Sequence, residues 1–278
     1  MIRLKLYKLL GRLSYLFCLS CCAGIFATAG CRPLTPPMEL PVASSLVLDE
    51  LVIYSDFQLP ENHRLLQDLE DMRAQLTTTL ALPASSEPVE VYLFKTPRRY
   101  HRFLSRRYPK YPERRAFFVQ TDTRLCVYTY WGDHIAEDLC HEVCHGYLHA
   151  AVPRIPLWID EGLAEFYECD RGQTGWNPSQ YDLLIAARDK TDWQPNLKRL
   201  EKRTRTEELT ELDYAESWLW AHFLLRTTDS RTALLQEYLA DCRSGTGDIF
   251  SEKIRQAEPS YVENVLLHLE QTGPNGIK

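Results

Sequence analysis

The chain has 278 residues, of which 45% are hydrophobic and 25% charged, and it carries a net charge of −6. This is a globular composition with enough residues for one sizeable core or two smaller ones. Past the N-terminus there is no apolar run of about 18 residues, so the body contains no membrane-span signal, and the acidic balance argues against a general nucleic-acid binder.

In chain order, "MIRLKLYKLLGR" (1–12) holds Arg3, Lys5, Lys8, Arg12 and no acid, and "LSYLFCLSCCAGIFATAGC" (13–31) holds no charge. A basic stretch, an apolar stretch and small residues before a cysteine predict a secretory signal over 1–30. Cys31 after Thr28-Ala29-Gly30 resembles the lipidation box of bacterial lipoproteins, although Thr28 stands where leucine is usual. The resemblance implies export and a lipid anchor on Cys31 at the bacterial cell envelope; plain cleavage and an uncleaved anchor helix are the alternatives. The Pro- and Ser-containing segment that follows, to residue 45, reads as a tether.

Next come a strand over 45–57, a helix over 60–82 with Leu65, Leu66, Leu69, Met72 and Leu76 at helical spacing, a strand over 88–94 and a helix from Pro97 to 108. Residues 116–130 predict two strands around a turn at Thr121–Thr123. Helices are expected over 133–151, 157–169, 178–190, 206–227, 230–243 and 257–271. The fold expected is α+β: a small mixed or antiparallel sheet with helices over 46–168, then a mostly helical subdomain over 169–278. Five cysteines lie beyond Cys31 (Cys126, Cys140, Cys144, Cys169 and Cys242), an odd set with room for one or two disulfides whose pairing the sequence does not give.

The chemistry concentrates in "CHEVCHGYLHA" (140–150). On a helix, His141 and His145 are one turn apart on one face, so two imidazoles can converge on one ion. Glu142 lies about 100° round from His141, placed to reach a water rather than the ion. Zinc suits such a site. His149 lies a further ~6 Å along and reads as a packing or supporting histidine. Cys140 and Cys144 face away and are expected to pack against the sheet; a cysteine-ligated site is the competing reading. Leu148 and Ala151 stand where a metzincin needs Gly and His.

Downstream, "PLWIDEGLAEFYE" (156–168) resembles the "W-L-x-E-G-x-A-E-Y" helix of gluzincins, in particular aminopeptidase-N-like enzymes and the peptidase-MA-like domains of bacterial lipoproteins. The resemblance covers roughly residues 46–227 and is strongest over 138–168. It implies a zincin-like fold, a zinc metallopeptidase and Glu161 as third ligand, with the connection between His145 and Glu161 shortened here. It gives Glu165 a hydrogen bond to the far nitrogen of a ligand histidine, and it gives Gly162 a close approach of the two helices. "LDYAESWLWAHFLL" (212–225) resembles the helix that follows in these domains, which makes Tyr214, with His222 second, the candidate for stabilising the oxyanion. Zinc lowers the pKa of its water toward ~7, Glu142 takes the proton and returns it to the leaving amine, and an extended peptide pairs with an edge strand expected at 125–130. The "G-x-M-E-N" motif of aminopeptidases is absent, which favours an endopeptidase. The substrate is a peptide or protein of undefined sequence.

One segment departs from the acidic background. Residues 97–115 hold eight Arg or Lys and one acid, with Tyr100, Phe103, Tyr108 and Tyr111 between them. Such a segment suits an anionic envelope surface; a solvated helix face is the plain alternative. The alternative to an enzyme is an inactive envelope lipoprotein that uses the same fold to bind or assemble.

Overall fold

The computed structural model describes residues 39–168, 175–247 and 249–273. The signal, Cys31, most of the tether and Cys169 lie outside them.

Five strands form one mixed sheet: β1 (Ser44–Leu48), β2 (Leu51–Ser55), β3 (Val89–Phe94), β4 (Ala116–Gln120) and β5 (Leu125–Tyr130), in the order β1-β2-β3-β5-β4. β2, β3 and β5 run parallel, and β1 and β4 are antiparallel edges. The single strand expected over 45–57 is a hairpin. The chain reverses at Asp49–Glu50, with Asp49 at φ 50°, a region that aspartate tolerates better than most residues. Apolar runs flank the two acids closely on both sides and no glycine or asparagine marks the turn, so the pattern hides it.

Alternate residues face opposite sides of the sheet. Ile53, Val89, Val91, Leu93, Phe118, Leu125 and Val127 belong to the main core. Tyr92, Phe94, Phe117, Cys126 and Tyr128 belong to a second cluster on the other side. There Tyr54, Tyr92, Tyr128 and Phe117 are direct cross-strand partners, and their rings stack with centroids 5.3, 5.2 and 5.1 Å apart. Helix α2 (Pro97–Arg107) covers this cluster with Tyr100, Phe103 and Leu104. Its start is set by Pro97 in the first turn and by Thr96, whose side chain accepts from the Arg99 N–H.

The main-core side carries α1 (Arg64–Thr79) and α3 (Ile135–Ala151). α3 lies close on β3 because residue 146 is glycine: a Cβ there would stand 2.6 Å from Val89 Cγ1. Gly146 therefore sets how closely α3 approaches β3. Cys140 and Cys144 are buried in the main core on another side, with Cys140 beside Asp68 of α1. The four described cysteines (Cys126, Cys140, Cys144, Cys242) are buried and unpaired, so no disulfide links them.

The C-terminal half is helical: α4 (Leu157–Tyr167), α5 (Pro178–Thr191), α6 (Leu197–Leu200), a 3-10 turn at Thr206–Glu208, α7 (Glu211–Arg226), α8 (Asp229–Ser244), α9 (Phe250–Ala257) and α10 (Tyr261–Gln271). This is the α+β class the sequence predicts. The single helix expected over 206–227 is a 3-10 turn followed by α7, and neither α6 nor α9 was anticipated. One continuous core runs from the sheet to α10. Gly162 does create a close approach, but with α7 rather than α3: a Cβ there would lie 2.3 Å from the Ser217 carbonyl oxygen. The start of α7 is held by a capping box between Thr210 and Asp213. Arg199 pairs with buried Asp213 and, at 2.6 Å, with buried Glu216.

Candidate metal centre

α3 and α4 are consecutive helices joined by the short loop at Val152–Pro156, and α3 packs against α4. His141 and His145 project from α3 with their Nε2 atoms 3.3 Å apart. Glu161 projects from α4. Its Oε2 lies 3.7 Å from His141 Nε2 and 3.5 Å from His145 Nε2. Tetrahedral coordination with bonds of ~2.0–2.1 Å separates neighbouring donors by about 3.3–3.4 Å, so this triangle has the size a small divalent cation needs. The three residues could hold a metal as they stand.

Each histidine is braced from behind. His141 Nδ1 meets Glu168 Oε2 at 2.7 Å, and His145 Nδ1 meets Asp160 Oδ1 at 2.9 Å. With Nδ1–H donating, each Nε2 keeps its lone pair for a metal, and the carboxylate raises its basicity. The other oxygen of Asp160 meets His149 Nε2 at 2.9 Å, so one buried carboxylate joins two histidines. Phe118 of β4 stacks on His145 and leans on His149.

The electrostatics favour a cation. Burial works against protonation of His145, but Asp160 and Glu161 outweigh it and carry its pKa up to about 10. His141 is raised in the same way, burial being overcome by Glu161 and Glu168. Burial also opposes the charge on Glu161, yet His145 and His141 bring its carboxyl down to about 2. Asp160 is lowered too, His145 and His149 prevailing over burial. The same negative field favours a metal cation, which binds by displacing the Nε2 protons.

Glu165 does not contact the far nitrogen of either ligand histidine, because Glu168 and Asp160 occupy those positions. Its carboxylate accepts from Gln180 Nε2 at 2.7 Å and from Asn177 Nδ2 at 3.3 Å. Asn177 also donates to Glu168 at 2.9 Å, and its own side-chain oxygen caps α5. Burial and the neighbouring Glu168 push the Glu165 pKa up. Glu165 thus supports the residue that supports His141.

Glu142, His141 and their surroundings line two adjoining cavities. One, of about 570 Å³, is bordered by Arg115, Ala116, Asp138, Glu165 and Glu168. The other, of about 810 Å³, is bordered by Lys110, Tyr111, Arg114, Phe117, Phe118 and Glu161. The cleft therefore passes the triad on both sides. β4 forms its wall and is the sheet edge. Residues 125–130, expected at an edge, form the interior strand β5 between β3 and β4.

Tyr214 lies near Glu161 and His141, with the Arg114 guanidinium beside it. Its hydroxyl is buried without a well-formed hydrogen bond. Burial and the Glu161 charge push its pKa up to about 12, so it stays a proton donor. His222 faces away from the triad and meets His268 of α10 at 2.8 Å.

Asp160, Glu168 and Arg114 were not anticipated. Asp160 immediately precedes Glu161, and Glu168 lies two helical turns after it, at spacings that were legible once Glu161 was fixed. Arg114 carried no local signal. No protein-family model matches the chain, and no curated protein matches it in sequence.

Proposed function

We propose that the protein is a zinc-dependent hydrolase of peptide bonds at the bacterial cell envelope, with His141, His145 and Glu161 as ligands and Glu142 as proton carrier. The observation that carries this reading is the triangle of donors 3.3–3.7 Å apart, braced by buried carboxylates and open to a cleft. Zinc bound there supplies a Lewis acid that lowers the pKa of a water toward ~7. Glu142, next to His141 and lining both cavities, would accept a proton from the attacking water and pass it to the leaving amine. Asp160 and Glu168 keep the two imidazoles turned toward the ion. Tyr214 donates to the carbonyl oxygen as charge develops on it, with Arg114 supporting it. A peptide lies extended along the β4 edge by strand addition. The cleft continues past Glu142 in both directions, which suits cleavage within a chain.

The test is zinc content and peptide cleavage in the purified protein. The parent is expected to hold one zinc that His141→Ala loses. Glu142→Gln is expected to keep zinc and lose at least about 100-fold in cleavage rate. A parent without affinity for zinc, or full activity in Glu142→Gln, would sink the proposal. Zinc binding with no cleavage of any peptide in a broad library would leave the non-enzymatic binding role.

A further inference from the structure

The basic segment 97–115 has no role in the hydrolytic site as described, apart from Arg114 and the cleft-wall residues beside it. α2 buries Tyr100, Phe103 and Leu104. On its opposite side Arg98, Arg102 and Arg106 recur at four-residue spacing and are exposed, so they form one stripe pointing away from the core. Charges elsewhere in the molecule are mostly paired: Arg73 with Asp49, Arg124 with Glu90, Arg188 with Glu270, Lys198 with Glu252, Arg231 with Glu258. In this segment Arg99 pairs with Asp56, and Arg115 with Glu137 and Asp138. Among the described residues no carboxylate lies within ion-pair distance of Arg98, Arg102, Arg106, Arg107 or Lys110. Arg107 sits over the Tyr108 ring and Lys110 lines the cleft, which leaves Arg98, Arg102 and Arg106 as a local excess without an internal use in a chain of net charge −6.

A second observation says what they face. Leu40, near the start of the described chain, packs on the aromatic cluster that α2 covers. Nine positions separate it from Cys31, and an extended chain of that length reaches at most about 30 Å. If the chain is anchored at or before Cys31, as the sequence predicts, the α2 side of the molecule stays within about that distance of the membrane. Among the described residues no helix is long and apolar enough to cross a membrane.

We propose that the outer face of α2, through Arg98, Arg102 and Arg106, docks on anionic phospholipid headgroups. Each cation near such a surface contributes about 1 kcal/mol. The three-arginine stripe alone therefore shifts the balance between docked and undocked states roughly 100-fold, and the effect fades within a Debye length as salt rises. The docking is independent of whether the metal site is hydrolytic.

The test uses the full chain mixed with vesicles of phosphatidylcholine alone or of phosphatidylcholine with phosphatidylglycerol. An arginine-specific dicarbonyl reagent labels exposed guanidines, and mass spectrometry reads each site. Labelling of Arg98, Arg102 and Arg106 is expected to slow at least about threefold with phosphatidylglycerol and to recover in high salt. Arg188, on α5, serves as the unaffected reference. In the triple variant Arg98→Gln/Arg102→Gln/Arg106→Gln, with circular dichroism confirming the fold, the excess of vesicle binding with phosphatidylglycerol over phosphatidylcholine alone, read by flotation, is expected to be lost. Equal labelling with both vesicle types would overturn the proposal. So would protection by soluble polyphosphate with none by vesicles, which would assign the face to a soluble polyanion.

Discussion

Asp160 carries two histidines on one carboxylate, and its effect on the metal site passes through His145. It is 2% exposed, so neither oxygen has water to replace a lost partner. Asp160→Asn keeps the shape but removes the charge that orients and polarises His145, and zinc affinity is expected to fall 10- to 100-fold. Glu168→Gln is expected to cause a loss of the same order through His141. Competition with a chromogenic chelator measures both. An unchanged affinity in both variants would mean that the ligands are held by packing alone. His141, Glu142, His145 and Glu161 were legible in the sequence because a helix fixes the geometry of neighbours four residues apart, and because the Glu161 helix has a resemblance to follow. The role of Glu168 was not legible. Which of two carboxylates on α4 reaches His141 depends on how α4 lies against α3 and on where Asn177 and Gln180 of α5 draw Glu165.

At the scale of elements, α7 organises the helical half. It packs on α4, α5, α8 and α10, and it carries Tyr214 toward the triad. Its distance from α4 is set by Gly162, whose missing side chain makes room for the Ser217 carbonyl. Gly162→Ala forces a methyl group into backbone, which cannot rotate away, and is expected to cost about 1–3 kcal/mol. Because α4 also bears Glu161, zinc affinity is expected to drop with stability. Urea unfolding together with metal titration checks this; a stable Gly162→Ala protein with parental affinity would show that the helices part at no cost. Helical spacing of Leu65, Leu66, Leu69, Met72 and Leu76 made α1 readable, whereas the β1–β2 turn had no Gly or Asn to announce it. α6 spans only four residues, too short for a periodic pattern.

For the molecule as a whole, acid stability is expected to depend on the contact between α7 and α10. Burial, with the His268 and Arg226 charges, lowers the His222 pKa to about 3. Burial, with Arg231, lowers that of His268 to about 4. Unfolded, both would bind protons below their ordinary value of 6.5. The stability they contribute is therefore fully present above about pH 6.5 and is lost as pH falls toward 4, by on the order of 3–5 kcal/mol. His268→Gln is expected to flatten that limb of the pH–stability curve, read by thermal unfolding at a series of pH values; an unchanged limb would place the acid sensitivity elsewhere. The sheet also fixes a height. α2 and α3 lie on its two faces, each about 10 Å from it, so their axes stand about 20 Å apart. If α2 rests on the headgroups, α3 stands on the far side of the sheet from them, and an extended polypeptide needs about six residues to climb a distance of that size. On the proposed hydrolytic reading, a membrane-tethered substrate would then reach Glu142 on a stalk of about that length, so the thickness of one sheet layer would set the distance between a cut and the lipid.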